Sequence, residues 1–321
     1  MVQSKKYSAK NDLLSRIDFF MQVYKEKIPD NGEDALLYSL NTCAAIIGVF
    51  DGCGGSGAKR YSKLQNKTGA YLASRIVSGT LKDWFARRSD FSLEFANKNF
   101  ENIISQNLQI CQSHGAEESK LVSPIVKILP TTAAFAICTE RDNSIQVDYF
   151  WAGDSRVYLL NSDGLAQLSV DDLAVPDAME NLYNTGAMTN VISKSKAFTI
   201  HHGTIFLDKP GIVFAATDGC FDYLSTPMEF EYLLLERLLE SQCVADWEKN
   251  LYMVLEKIAG DDYSLSAVAF NYGNFETMRT SFIDRANQLY SNYISQISSL
   301  DRVQKTNLWG KYKNNYYRLQ N

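Results

Sequence analysis

The sequence has little histidine and no long apolar run, and each of these absences excludes a class of protein. Its 321 residues contain three histidines, His114, His201 and His202, too few for a typical zinc site or a well-placed Ser-His-Asp triad. No segment approaches about 18 uninterrupted apolar residues, and the first residues lead into no apolar signal core. Neither membrane spanning nor export is therefore expected.

Paired cysteines and an excess of positive charge are also absent. The six cysteines are scattered without any CxxC pair, which is typical of reduced thiols in a cytosol and predicts a cytoplasmic protein. The net charge is -5, and no phosphate-loop lysine or basic face is evident, so a nucleic-acid partner is not expected. With 45% hydrophobic and 12% aromatic residues, the chain can build a substantial core as one large domain or two ordinary ones.

One acid lies between an apolar run and a cluster of glycines. Residues 44–50 have the length and composition of a buried strand, and Asp51 follows them directly, before Gly52 and the glycines within residues 54–57. Two interpretations fit Asp51 taken alone. It caps the next helix in an ordinary strand-turn, or it binds a hard divalent cation beside exposed backbone carbonyls.

The same arrangement recurs four more times along the chain. Further acids stand at the ends of strand-like runs: Asp154, Asp218, the pair Asp261 and Asp262, and the pair Glu33 and Asp34. Carboxylates that converge at adjacent strand ends repel one another and raise each other's pKa. A cluster of them therefore indicates a cation that holds them together.

A hairpin brings two of these groups together. If Asn41 and Thr42 form its turn, Asp34 falls opposite Val49 or Phe50 in the partner strand. The sequence therefore predicts that Glu33, Asp34 and Asp51 meet at one end of this hairpin.

Six motifs, in their order and rough spacing, resemble the metal-dependent Ser/Thr protein phosphatases of type 2C. They are Glu33-Asp34, GVFDGCGG (48–55), Thr131-Thr132, AGDSRVYLL (152–160), ATDGCFDYL (216–224) and DDYSLSAVAF (261–270). The resemblance covers most of the chain and is to a bacterial-like member of the family. It implies an α+β fold, a four-layer αββα sandwich of two antiparallel sheets flanked by helices.

The resemblance also implies a metal centre with two Mn²⁺ or Mg²⁺ ions per chain, and some members bind a third. Matched by position, the implied metal ligands are Glu33, Asp34, Asp51, the carbonyl of Gly52, Asp154, Asp218 and Asp261. Asp222 and Asp262 are assigned to hydrogen bonds with turns and helix ends.

The implied reaction is the hydrolysis of phosphoserine or phosphothreonine in a protein substrate. A metal-activated water attacks phosphorus, Asp51 and Asp218 are the catalytic metal-binding residues, and no covalent phosphoenzyme forms. A partner kinase follows from the same analogy.

Two positions depart from the family pattern. The family usually has a phosphate-binding arginine five residues before Asp34, where this chain has Pro29. The candidates to replace it are Lys25, Lys27, Lys59 and Arg60. Animal members commonly have a histidine that protonates the leaving group, where this chain has Cys53, a poor acid for that step. A second interpretation therefore stays open, an inactive or weakly active phosphatase-like module that binds or regulates a partner.

The remaining pattern outlines the other elements. It predicts helices over residues 68–88, from a cap at Ser89 and Asp90 to residue 110, and over 227–259, and a strand meander over 121–129, 131–138, 144–151 and 156–160. Residues 8–30 fit either a helix or a strand. Residues 171–204 are expected to form one of two things: a flap that contacts substrate, or a surface loop with no role in recognition.

The last fifty residues lie outside the resemblance, so we divide the chain into a catalytic domain, 1–272, and a C-terminal segment, 273–321. Apolar residues from 275 to 300 recur at helical spacing, which predicts an amphipathic helix. Beyond it, aromatic and basic residues alternate. Such a tail packs on its own domain, docks a partner or stacks on nucleobases, and the oligomeric state stays open.

Overall fold

A computed structural model describes residues 13–88, 91, 93–115, 127–184 and 186–320, although not the side chains of 93–98 and 115. The strands in this part of the chain are β1 (Ile17–Lys25), β2 (Ala35–Leu40), β3 (Ala44–Phe50), β4 (Arg60–Tyr61), β5 (Lys67–Thr68), β6 (Ala133–Arg141), β7 (Ser144–Ala152), β8 (Arg156–Asn161), β9 (Gly164–Gln167), β10 (His201–Leu207), β11 (Gly211–Ala216) and β12 (Tyr263–Phe270). The helices are α1 (Gly54–Gly57), α2 (Gly69–Ala86), α3 (Leu93–Gly115), α4 (Ala178–Asn181), α5 (Pro227–Leu239), α6 (Val244–Ile258), α7 (Phe275–Ser281), α8 (Ile283–Leu289), α9 (Ser295–Ile297) and α10 (Arg302–Tyr316).

Two five-stranded antiparallel sheets form the centre of the molecule. Sheet I has the order β10-β7-β6-β3-β2, and sheet II has the order β1-β12-β11-β8-β9. Helices α2 and α3 cover the outer face of sheet I, while α5, α6 and the C-terminal helices cover sheet II. The α+β sandwich of four layers is confirmed.

Three apolar clusters fill the spaces between these layers. Strand β3 shows how one sequence serves two of them, because alternate side chains of a strand point to opposite faces. Ala45, Ile47 and Val49 pack between the two sheets, whereas Ile46 and Phe50 pack beneath α2 and α3. The whole strand is buried, which explains its unbroken apolar sequence.

The hairpin of β2 and β3 has a different register from the one predicted. Ala35 pairs with Phe50 and Leu36 with Val49. Extended by one residue, this register places Asp34 opposite Asp51. The prediction that Asp34 lies opposite Val49 or Phe50 is therefore wrong. The turn is one residue later than expected. The cause is Asn41, whose side chain accepts hydrogen bonds of 2.9 Å from the amides of Cys43 and Ala44.

The predicted meander is wrong at β8. Strand β7 belongs to sheet I, but β8 pairs with β11 in sheet II, so the chain crosses between the sheets after Ala152. Gly153 makes the crossing with φ of +96°, a conformation that residues with a Cβ rarely adopt. Asp154 therefore lies at the junction of the two sheets.

Several element boundaries also differ from the predictions. Of the segment that fitted either a helix or a strand, residues 17–25 form a strand. Residues 127–129 are the described end of the predicted strand over 121–129, and they are not in a strand. The irregular flap ends at residue 200, because β10 begins at His201. The predicted helix over 275–300 is broken into α7, α8, a π-helical turn and α9. Helix α2 begins after its cap Thr68, while Ser89 and Asp90 lie outside the described residues.

Candidate metal centre

The backbone around the end of β3 holds Asp51 in a fixed position. The amide of Asp51 donates to the hydroxyl of Thr132 at 3.1 Å, and the carbonyl of Asp51 accepts from the Thr132 amide at 2.7 Å and the Thr131 hydroxyl at 2.8 Å. Next to it, the amide of Gly52 donates to the carbonyl of Glu33 at 3.2 Å. The two motifs Glu33-Asp34 and Thr131-Thr132 therefore flank Asp51 from either side.

Hydroxyl groups orient the other two acids at this end of the hairpin. The Thr68 hydroxyl, at the cap of α2, donates to Glu33 Oε1. Asp34 is only 2% exposed and accepts a hydrogen bond of 2.9 Å from the Thr217 hydroxyl, which precedes Asp218. The cap of α2 therefore orients Glu33, and the residue after β11 of sheet II orients Asp34.

Burial and, after it, mutual repulsion raise the pKa values of the carboxylates of the centre. Asp51, Asp154 and Asp218 keep part of their surface exposed, but protein atoms surround them so closely that lost hydration is the largest cause of their raised pKa values. Burial and then Asp218 raise the pKa of Asp34 to about 7. Burial and then Asp261 raise the pKa of Asp218 to about 6.

Asp154 has one carboxylate oxygen that is left uncompensated. Its Oδ1 is buried and has no hydrogen-bond partner among the described residues. Burial, followed by the neighbouring charges of Asp218 and Asp171, raises its pKa well above the usual range. A buried oxygen without a partner costs free energy unless a ligand binds it.

A pocket of about 220 Å³ opens beside Glu33, Asp261 and Asp262. Asp262 is structural, as predicted, because its carboxylate accepts from the amides of Lys27 at 2.7 Å and Glu33 at 2.6 Å. Three cations also line the pocket: Lys27, Arg60 and Lys67. Within the described chain, none of the three forms a salt bridge.

Two of the proposed replacements for the missing arginine lie elsewhere. Lys25 is paired with Glu256, and the Lys59 ammonium lies 5.6 Å from the centroid of the Tyr61 ring. Lys27 and Arg60 do line the pocket. Lys67 was not identified from the sequence, because only the pairing of β4 with β5 brings it there.

A smaller pocket, of about 50 Å³, lies beside Asp154 and Asp218. It is lined by Asp154, Arg156, Leu173, Asn181, Gly186, Asp218, Phe221 and Asp222. Burial and then Asp218 raise the pKa of Asp222 to about 7, so this acid, assigned to a structural role from the sequence, lies within the site. The Arg156 guanidinium is buried and binds Asp171 through Nε–Oδ1 and Nη2–Oδ2 contacts of 3.0 and 2.7 Å.

The donor chemistry of these residues fits a hard divalent cation. They offer carboxylate oxygens and the carbonyl of Gly52, the ligands that Mn²⁺ and Mg²⁺ prefer. The uncompensated Oδ1 of Asp154 and the mutual repulsion among the acids are both relieved by a bound cation. Across the described residues, no three His, Cys, Asp or Glu side chains are already arranged as a metal-ligand set.

Cys53, at the position where animal relatives have histidine, is poorly suited to proton transfer. Burial, followed by the charges of Asp51 and Asp154, raises the pKa of its thiol well above the usual range. The thiol therefore stays protonated and gives up its proton reluctantly.

Comparison with known proteins identifies the family. The family model described as Protein phosphatase 2C matches residues 28–255. The chain belongs to this family. It is accordingly a metal-dependent Ser/Thr protein phosphatase. Five of the six motifs identified in the sequence lie within the matched residues, and the sixth, at 261–270, lies beyond them. A comparison with curated proteins finds no match.

Solved structures that resemble the chain include bacterial serine/threonine phosphatases. The serine/threonine phosphatase Stp1 of Staphylococcus aureus matches with a TM-score of 0.59 and 18% identity, covering 80% of this chain and 97% of that one. The S. agalactiae serine/threonine phosphatase matches at 0.56 and 15%, covering 78% and 99%. PppA of Pseudomonas aeruginosa, named as a key regulatory component of T6SS, matches at 0.54 and 16%, covering 79% and 99%. At these identities the matches establish the fold.

Among the described residues, no helix combines the length and apolar character needed to cross a bilayer.

Proposed function

We propose that the chain removes phosphate from phosphoserine or phosphothreonine of a protein at the carboxylate cluster between the two sheets. The proposed metal ligands are Glu33, Asp34, Asp51, the Gly52 carbonyl, Asp154, Asp218 and Asp261, with Mn²⁺ or Mg²⁺ as the cation. The observation that carries this proposal is the group of close carboxylates with raised pKa values, including the unpartnered Oδ1 of Asp154.

The chain's own residues supply orientation and charge. Bound ions would contribute Lewis-acid activation of water and neutralise charge on the phosphate. Thr131 and Thr132 hold the backbone of Asp51, and Thr217 orients Asp34. Cys53 is not proposed as the acid for the leaving group, since its raised pKa opposes proton donation.

We assign the binding of the substrate phosphate to Lys27, Arg60 and Lys67 rather than to an arginine at position 29. Each is anchored by a backbone carbonyl: Lys27 by Gly260, Lys67 by Asp30, and Arg60 by Asn66 at 2.8 Å. A phosphate monoester carries about two negative charges near neutral pH. These three anchored cations lie next to Glu33 and Asp261 and form no salt bridge with any described residue, so they offset that charge at the entrance to the metal centre.

Steady-state kinetics test this assignment. Arg60→Gln and Lys67→Gln should each raise KM for a phosphothreonine peptide by about three- to tenfold with little change in kcat, because a charged contact to the bound phosphate is lost. Lys59→Gln is the matched control, since it removes a neighbouring cation outside the pocket. An equal rise of KM in all three variants would instead indicate a general effect of surface charge.

The enzyme activity itself is tested with p-nitrophenyl phosphate and a phosphothreonine peptide, with and without Mn²⁺. Turnover that needs the metal and disappears in Asp51→Asn and Asp218→Asn would support the proposal. If the wild-type protein binds Mn²⁺ by calorimetry but hydrolyses neither substrate with any metal, the proposed activity is wrong.

The cellular setting follows at the same level of proposal. All six cysteines are free thiols, which suits a reducing compartment and supports a cytoplasmic protein. A phosphatase of this class needs a kinase that phosphorylates the same substrate, so a partner kinase is proposed as well. No nucleic-acid or membrane partner is proposed.

A further inference from the structure

The C-terminal helix α10 is part of the core that covers sheet II. Trp309, Tyr312 and Tyr316 are each at most 2% exposed and pack in one cluster with Tyr158 of β8 and Phe230 of α5. The family model ends at residue 255, so this helix lies beyond it. Its aromatic residues therefore have a structural role within the chain.

Helix α10 and the residue after it contact the flap through three partly buried hydrogen bonds. The indole Nε1 of Trp309 donates to both carboxylate oxygens of Asp177, at 3.0 and 3.2 Å. The amide of Ala178 donates to the Tyr317 hydroxyl at 2.7 Å. Asp177 is also the N-terminal cap of the flap helix α4, so these bonds fix the start of that helix.

The other end of α4 reaches the smaller pocket. Asn181, its last residue, donates to Asp171 Oδ2 at 3.2 Å and lines the pocket with Asp154 and Asp218. Leu173 and Gly186 of the flap line the same pocket. The flap therefore forms one wall beside two proposed metal ligands.

A second connection links α10 to the same place. The hydroxyls of Tyr316 and Tyr158 lie 3.1 Å apart, and Arg156 donates to the Tyr158 hydroxyl at 3.4 Å. Arg156 in turn holds Asp171, to which Asn181 is bonded. Both connections end at the wall of the pocket that contains Asp154 and Asp218.

We infer that α10 holds the flap helix α4 in place beside the Asp154–Asp218 pocket and so positions the flap for the phosphoprotein substrate. Trp309 and Tyr317 are positioning residues in this account, because they act through Asp177 and Ala178. The exposed contact of Arg302 with Glu180, at 3.7 Å, adds little, since such surface pairs contribute weakly. The catalytic part of this inference rests on the proposed function, but the structural part does not.

Three full-length variants test the inference. Tyr317→Phe and Trp309→Phe remove a hydrogen bond to the flap while keeping an aromatic ring. Tyr312→Phe is the matched control. It removes a hydroxyl group from the same helix, but this hydroxyl donates to Glu231 in the core and not to a residue of the flap. If Trp309→Phe does not fold, Tyr317→Phe alone still decides, since its side chain is only half-buried.

Amide hydrogen exchange is the first measurement. In Tyr317→Phe and Trp309→Phe, exchange at residues 178–181 should become faster by about three- to tenfold, the effect expected for the loss of one hydrogen bond. Tyr312→Phe should leave these amides at the wild-type rate. Unchanged exchange in both flap variants, or the same acceleration in Tyr312→Phe, would overturn the inference.

Kinetics then test whether the flap position matters for substrate. KM for a phosphothreonine peptide should rise in the flap variants by about three- to tenfold, while KM for p-nitrophenyl phosphate changes less than about twofold, because only the larger substrate reaches the flap. Faster exchange with an unchanged KM for the peptide would overturn the positioning role. A wild-type protein without turnover would refute the proposed function, and exchange would still decide whether α10 holds the flap.

Discussion

Asp51 is the residue in which stability and activity conflict most directly. Burial and the neighbouring charges of Asp218, Asp34 and Asp154 raise the pKa of its carboxyl group. No positively charged group is among the largest influences on this pKa. The folded chain therefore keeps charges close together that would separate on unfolding. Such a cost is typical of functional sites, where binding requires an arrangement that folding alone does not favour.

The variant Asp51→Asn separates these two effects. We expect phosphatase activity to fall by at least about 100-fold, because a neutral amide is a poorer ligand for the activating cation and leaves transition-state charge uncompensated. We expect the metal-free variant to be more stable than wild type by about 1 to 3 kcal/mol, because a like-charge contact disappears. Urea unfolding in EDTA measures the second effect.

The control for this variant is Asp163→Asn, which changes an exposed carboxylate paired with Lys209. It should alter the free energy of unfolding by less than about 0.5 kcal/mol and leave activity intact. A metal-free Asp51→Asn protein less stable than wild type would show that Asp51 supports the fold rather than opposing it.

At the scale of elements, the crossing between the sheets links the fold to the site. Gly153 has φ of +96°, and a Cβ there would lie 2.8 Å from Thr132 Cγ2. Thr132 accepts the hydrogen bond from the Asp51 amide, and its hydroxyl lies 2.6 Å from that of Ser155. A side chain at position 153 therefore pushes on the residue that positions Asp51.

The variant Gly153→Ala should be destabilised by about 2 to 4 kcal/mol, because it combines backbone strain with a steric clash. It should also lose affinity for Mn²⁺, measured by calorimetry on the folded protein. Gly273→Ala is the control, since Gly273 has φ of +81° but nothing within 4 Å of an added Cβ. Equal effects of both variants on Mn²⁺ binding would contradict a specific role for the crossing.

The elements differ in how much of them the sequence predicts. The strand ends that carry an acidic residue could be predicted from the sequence, because an apolar run indicates the strand and the Asp that closes the run indicates where the strand ends. Asp51 and Asp218 are examples. The hairpin register was not, since the Asn41 side chain decides where the turn falls. The pair of Arg156 with Asp171 and the location of Lys67 depend on contacts between distant segments, which periodicity does not encode.

At the scale of the whole molecule, the clustered acids make metal-free stability depend on pH. The pKa values of Asp34 and Asp222 are raised to about 7 and that of Asp218 to about 6 in the folded state. Unfolding returns each to about 3.9. Between these values the folded chain holds protons that the unfolded chain releases, so stability falls as pH rises.

We therefore expect the free energy of unfolding in EDTA to be highest near pH 4 and to fall by at least about 3 kcal/mol as pH rises through 7, since one pKa unit corresponds to about 1.4 kcal/mol. Because the acids repel one another, their shifts are shared and do not simply add. Saturating Mn²⁺ should remove most of this fall, because the cation compensates the charges that protons otherwise cancel. In Asp34→Asn the fall should be smaller. Stability that is flat or rises between pH 4 and 7 in EDTA would show that the two sheets do not hold these carboxylates together.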